Sequence, residues 1–249
     1  MLPEVLDPFE VAGGVTEAAA GELGLAPGTL VGPGTGDNAG AALGLGLPPG
    51  MPVVSLGTSG TASLVSTRPA ADPSGTVAGF ADASGRYLPL AATLNCTLAV
   101  DRFAAWLGID REAVEPSQGV TALPYLDGER TPYLPTATGV LVGLRHSTPP
   151  GAILMAAYEG AVAGLIAALD ALEQHSSGID PDAPLVLIGG GSRGRAWVIL
   201  TGAAPDEIAS AWRTREGVEV EPVPRDLETL EHVRSLVRAV RECGGGAVG

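Results

Sequence analysis

The sequence predicts an α/β chain, and three observations carry that reading. Three glycine-rich turns each follow a run of β-prone residues. One segment, "AILMAAYEGAVAGLIAALDALEQ" from Ala152 to Gln174, keeps a helical apolar pattern throughout. Strand-like and helix-like runs interleave between these features, which is the order an α/β architecture requires. With 249 residues and 45% hydrophobic composition, the chain can bury a core of one or two domains. Aromatics make up only 4%, so that core is predicted to be Ala, Leu, Val and Ile.

Residues 3–30 alternate short apolar pieces with Pro and Gly, and "TEAAAGELG" at Thr16–Gly24 is predicted as a short helix. A strand near Thr29–Gly32 ends at "GTGDNAG", Gly34 to Gly40, and "AGAALGLGL" then reads as a close-packing helix. "LPPGMP", Leu47 to Pro52, marks a boundary. "VVSLGTSGTASLVS" places two β-prone runs around Gly57-Thr58-Ser59-Gly60, a predicted hairpin, and a second hairpin turns at Ala83-Ser84-Gly85. "TLAVDRFAAWLG" is a helix with Leu98, Phe103, Trp106 and Leu107 sharing one face and Gly108 ending it.

Leu123 to Pro150 is irregular, rich in Pro, Gly and Thr; within it "DGERTP" at Asp127–Pro132 reads as a surface loop. The long helix puts Leu154, Tyr158, Leu165, Leu169 and Leu172 on one stripe. "PLVLI", Pro184 to Ile188, is a buried strand running into "GGGSRGRAW". Two more helices are predicted, over "PDEIASAWR" and from the N-cap Asp226 through Leu227, Leu230, Val237 and Val240.

Composition excludes several chemistries. Net charge is −14, which argues against nucleic acid and anionic membrane surfaces as partners. The chain has no lysine: a Walker A loop, a protein-kinase active site and Schiff-base catalysis each need one. Cys96 and Cys243 show neither a disulfide framework nor zinc spacing, and His146, His175 and His232 lack ligand spacing. The opening "MLPEVLDPFE" carries acids where a secretory leader is basic and then apolar, so no leader is expected. Glu159 and Asp170 interrupt the long apolar segment, which reads as a buried helix and not a membrane span. The expected location is the cytoplasm.

The glycine turns are the candidate chemistry. Glycine permits positive φ and close approach, so backbone N–H groups can converge on an anion, and the nearby hydroxyls of Thr58, Ser59 and Ser192 suit phosphate oxygens. Each turn alone reads as an ordinary structural turn; three together make a nucleotide site an equal alternative. Gly189, Gly191 and Gly194 match a G-x-G-x-x-G dinucleotide fingerprint, but no acid-terminated strand follows in "VILTGAAPDEIASAW" as an NAD-dependent oxidoreductase would need. Asp37 has two readings: a general base that receives a substrate proton, or a cap for the helix after it. Glu159 reads as a core-edge carboxylate.

The ordered set "GTGDNAGAALGLG", "SLGTSGTASLVS", "LPYLDGERTP", "GVLVGLRHSTPPGAILMAAYEGAVAGL" and "LIGGGSRGRAW" resembles the FGGY family of carbohydrate kinases, from near residue 3 to about Trp197. "DGERTP" is more like the xylulokinases of that family than its glycerol kinases. The resemblance implies an actin-like (ribonuclease H-like) ATPase fold, with Mg2+ and ATP in the cleft and a sugar as acceptor. It implies Asp37 as catalytic base, with Asn38 beside it at the substrate. It implies Gly57, Thr58, Ser59 and Gly60 as a phosphate hairpin, and Gly190, Gly191, Ser192 and Arg195 at the adenosine side.

Two departures set further expectations. Only about 35 residues precede Asp37, where the family places most of its first domain. After "GGGSRGRAW" the family's next helix and strand are missing, as if the chain were internally shortened near residue 197. The expected organisation is residues 1–48 as the tail of the sugar-binding domain, 49–200 as the ATP-binding domain and 201–249 as a helical extension. The expected activity is phosphorylation of D-xylulose to D-xylulose 5-phosphate, with this truncated chain inactive alone. Other readings are another acceptor (gluconate, glycerol or ribulose) or a non-catalytic nucleotide-binding remnant. A homodimer, or pairing with a chain that supplies the first domain, belongs to the same expectation.

Overall fold

The computed structural model describes residues 4–194 together with 196, 197 and 200. Arg195, His232, Cys243 and the two helices predicted beyond residue 204 lie outside the described residues. The elements run β1 (Gly13–Gly14), α1 (Glu17–Leu23), β2 (Leu30–Val31), α2 (Asp37–Gly44), β3 (Pro52–Leu56), β4 (Gly60–Leu64), β5 (Val77–Ala81), β6 (Tyr87–Thr93), α3 (Thr97–Leu107), β7 (Thr121–Leu123), β8 (Val140–Val142), α4 (Pro150–His175) and β9 (Val186–Ile188). A 3-10 turn follows at Gly190–Arg193.

The central sheet has the order β5-β6-β4-β3-β9. Its first four strands form two antiparallel hairpins, β3-β4 and β5-β6, joined through pairing of β4 with β6, and β9 joins β3 in parallel with Ser55 opposite Ile188. Period-2 alternation divides the strands between two faces. Val54, Leu56, Ala62 and Leu64 point into the main core with Val100 and Phe103 of α3 and Leu154, Tyr158, Leu165 and Leu172 of α4. Val53 and Val65 point the other way, onto Ala39 and Ala42 of α2. The sheet is therefore covered by α3 and α4 on one side and by α2 on the other.

Helix α4 is long and apolar enough to cross a bilayer by composition, yet 67% of its most apolar window is buried inside the protein. Its four fully buried members of the predicted stripe occupy the core, and Leu169 is partly buried. Each such side chain contributes about 1.5–3 kcal/mol on burial. Pro150 stands at its first turn, where a missing N–H costs nothing.

Helix α3 departs from the predicted face. Leu98 and Trp106 are exposed, and the buried stripe is Ala99, Val100, Phe103 and Ala104. The inner face packs against α4 and holds Phe103 beside three smaller side chains, while Leu98 and Trp106 fall on the outer side. Gly108 ends the helix in the left-handed conformation, φ 66°, as predicted.

The segment after Leu123 is less open than its composition suggests. Val140–Val142 pairs with Thr121–Leu123 as a small ribbon, and Leu123, Tyr125, Glu129 and Thr131 are buried. The surface-loop reading of "DGERTP" is therefore corrected: Arg130 is exposed, but Glu129 is 2% exposed.

Candidate functional site

Because β3 and β9 run parallel, both deliver their following turns to the same end of the sheet. After β3 comes Gly57-Thr58-Ser59, closed by pairing of Leu56 with Gly60. The Gly57 N–H donates to the Ser59 carbonyl at 3.1 Å. Gly60 admits no side chain: a Cβ there would lie 2.6 Å from Leu165 Cδ2 and 2.7 Å from Thr93 Oγ1. Thr58 and Ser59 are exposed at the tip.

The start of α3 secures this turn from behind. Thr97 donates to the Gly57 carbonyl through its backbone N–H (3.1 Å) and its Oγ1 (2.7 Å), and the Leu98 N–H donates to the Thr58 carbonyl at 3.4 Å. Helical N–H groups that lack an intrahelical partner are thereby satisfied. The turn's carbonyls are drawn inward, and among the described residues the N–H groups of Thr58 and Ser59 take no backbone acceptor. An exposed tip whose N–H donors have no backbone acceptor suits an anion.

The turn after β9 is built on the same strand end. Gly189 has φ 88° and lies against Leu56, where a Cβ would come 2.8 Å from its carbonyl oxygen. Gly191 is tighter, with a hypothetical Cβ 2.7 Å from Leu56 Cβ and 2.8 Å from Thr97 Cγ2. Gly190 between them faces open space. Ser192 turns inward, its Oγ donating to the Gly189 carbonyl at 2.7 Å. The two glycine turns thus share Leu56 and Thr97 as common supports. Among the described residues a 3-10 turn follows β9 and no second parallel strand joins it, so nothing there supports the dinucleotide reading.

Asp37 and Asn38 approach from the opposite face of the sheet. The N-cap of α2 is Gly36, without a side-chain bond, and Asp37 is the first helical residue, so the cap reading of Asp37 gives way. Its exposed carboxylate accepts the Asn38 N–H at 2.8 Å and the Asn38 side-chain amide at 3.2 Å. Asn38 lines a shallow cleft between α2 and the sheet, whose floor holds Ser55, Thr61, Ser63 and Ile188. Those hydroxyls were not singled out by the sequence; only pairing of Ser55 with Thr61 and of Val53 with Ser63 brings them together. No hydrogen bond joins Asp37 to either glycine turn among the described residues.

Cys96, directly before Thr97, is fully buried. Burial pushes its thiol up to about 12, and the Glu129 charge adds to that despite the Thr97 N–H. It is protonated and inert, not a nucleophile. Glu159, at the core edge, accepts from Ser117 Oγ at 3.1 Å.

Comparison with known proteins agrees with this geometry. Residues 53–209 match the FGGY family of carbohydrate kinases, C-terminal domain. A xylulose kinase of Streptomyces rubiginosus is 53% identical over 267 residues, covering 95% of this chain and 55% of that protein. A xylulose kinase of Streptomyces coelicolor is 51% identical with the same coverage. The crystal structure of xylulose kinase from Bifidobacterium adolescentis superposes with a TM-score of 0.73 at 32% identity, over 95% of this chain and 53% of the other. The chain spans about half the length of the curated relatives it matches. Sheet order, paired glycine turns and sequence match agree on the actin-like ATPase fold, and the chain belongs to the FGGY family of carbohydrate kinases.

Proposed function

We propose that this chain carries the nucleotide-binding half and the catalytic carboxylate of a sugar kinase that phosphorylates D-xylulose. The observation that carries the reading is the placement of the Gly57–Gly60 and Gly189–Gly194 turns at one end of β3 and β9, with Thr58 and Ser59 exposed and open space at Gly190. The acceptor is proposed from the relatives, which are xylulose kinases.

In this reading Thr58 and Ser59 donate N–H bonds to the phosphate oxygens of ATP. Gly190, Gly191, Ser192 and Arg195 are assigned to the adenosine side. Asp37 accepts the proton of the attacking sugar hydroxyl, whose oxygen bonds to the γ-phosphorus as the bond to ADP breaks. Asn38, hydrogen-bonded to that carboxylate, orients it. Positioning and charge stabilisation are what phosphoryl transfer asks of a protein, and glycine turns supply the first. Mg2+ bound to ATP would neutralise phosphate charge. Mg2+ commonly keeps several waters and binds through substrate phosphates, so the ion is assigned to the phosphates of ATP.

Residues 1–48 are assigned to the sugar side and 49–200 to the nucleotide side, with 201–249 an extension. The relatives contain a further stretch of comparable length. We assign the opposite wall of the cleft to such a stretch, in the same protein, in a second copy or in a partner chain. The cytoplasm is the location proposed. The Streptomyces rubiginosus alignment is longer than this chain, in keeping with internal shortening.

The test is a coupled ADP-release assay with D-xylulose and Mg-ATP, beside a thermal-shift titration with Mg-ATP. The 249 residues alone are expected to bind Mg-ATP but to show no turnover above background. Turnover that disappears in Asp37→Ala would overturn the inactivity claim. No ATP-dependent shift would overturn the nucleotide reading in favour of a non-catalytic remnant.

A further inference from the structure

We infer that Glu129 is a positioning residue for the Gly57–Gly60 turn, acting through the corner between β6 and α3. The inference rests on the reading of that turn as a phosphate site. Glu129 is 2% exposed, and among the described residues no ion pair reaches it. Its charge is met instead by four N–H donors. Oε1 accepts from the backbone of Leu94 (2.5 Å) and Arg130 (2.7 Å). Oε2 accepts from the Asn95 backbone (3.1 Å) and the Asn95 side-chain amide (2.9 Å). Asn95 Nδ2 also donates to the Gly128 carbonyl at 2.7 Å, which closes the ring of contacts.

The corner so fixed is the one that supports the turn. Leu94 and Asn95 lead directly to Cys96, whose Cβ lies 3.4 Å from where a Gly60 side chain would begin. Next come Thr97, with two bonds to the Gly57 carbonyl, and Leu98, with one to the Thr58 carbonyl. Thr131, two residues past Glu129, ties the same loop to β6 by donating to the Ala92 carbonyl at 2.8 Å. The carboxylate therefore sets the position of the residues that bind the turn's Gly57 and Thr58 carbonyls.

Residue chemistry fits this role. A carboxylate only accepts, which matches a site where four donors converge. Glutamine at 129 would present two N–H donors to the same donors and leave some of them buried and unpaired, which is costly.

The test is amide hydrogen exchange, residue by residue, on the full chain and its Glu129→Gln variant, with a Mg-ATP titration of each. In the variant, Leu94, Asn95 and Arg130 lose protection directly. Thr97 and Leu98 are expected to exchange about tenfold faster, while amides along the β3–β9 pairing stay protected. Mg-ATP affinity is expected to fall about tenfold. Unchanged protection at Thr97 and Leu98, with Leu94 and Asn95 released, would overturn the inference. Should Glu129→Gln fail to fold, Asn95→Ala removes one donor and keeps the carboxylate. It is expected to shift Thr97 and Leu98 in the same direction by a smaller factor, and no shift there would equally overturn the inference. A wild-type chain that ignores Mg-ATP defeats the phosphate reading, while the exchange coupling is judged separately.

Discussion

Gly160 of α4 lies flat against the Ala122 carbonyl of β7: a Cβ at 160 would collide with that oxygen and crowd Pro124 Cδ at 2.7 Å. Propensity and packing disagree here. Alanine is better than glycine in a helix interior by about 1 kcal/mol. Overpacking against backbone costs about 1–3 kcal/mol, and a strand carbonyl has little room to retreat. Packing wins, so Gly160→Ala is expected to destabilise the protein by about 1–2 kcal/mol net. Urea unfolding checks this, with a lower midpoint at unchanged slope.

The glycines of the last turn should separate by role. Gly191→Ala forces a methyl into Leu56 and Thr97 and is expected to cost about 1–3 kcal/mol, which lowers Tm by several degrees. Gly190→Ala meets nothing within 4 Å and is expected to stay within about 0.5 kcal/mol of the parent. Thermal melts of the pair check the contrast. A Gly190→Ala variant that melts normally yet loses its Mg-ATP shift would mark Gly190 as a ligand-facing position.

Stability should fall in acid through the loop after β4. Burial opposes the Asp72 charge, but the Val77 N–H, two bonds from Ser74 and the nearby His175 outweigh it and bring its pKa down to about 2. His175 Nε2 is 3.7 Å away. A carboxyl depressed in the folded state adds stability above its unfolded pKa of 3.8, and that stability is lost as pH falls towards 2. The contribution is on the order of 1 kcal/mol. Asp72→Asn is expected to flatten stability against pH between about 5 and 2, as measured by urea melts across that range.

Local pattern made much of this protein legible. Both hairpins, the long helix, the Gly108 cap and the glycine turns follow from residues near one another in the chain. The face of α3 did not, because Leu98 and Trp106 are apolar yet exposed, and only the presence of α4 decides which side is inner. Glu129 escaped for the same reason. Its donors at Leu94 and Asn95 lie 35 and 34 residues away, and a charged residue between Gly and Arg reads as solvated. Ser55, Thr61 and Ser63 converge only through strand register.

The parallel seam between β3 and β9 also sets an order of assembly. Val53 waits for Val186, about 130 residues downstream, whereas β4, β5 and β6 find partners locally. Long loops close slowly, so the two hairpins and the Gly57–Gly60 turn can form first on a growing chain. The second glycine turn exists only after β9 has docked, which makes the paired turns a late product of folding.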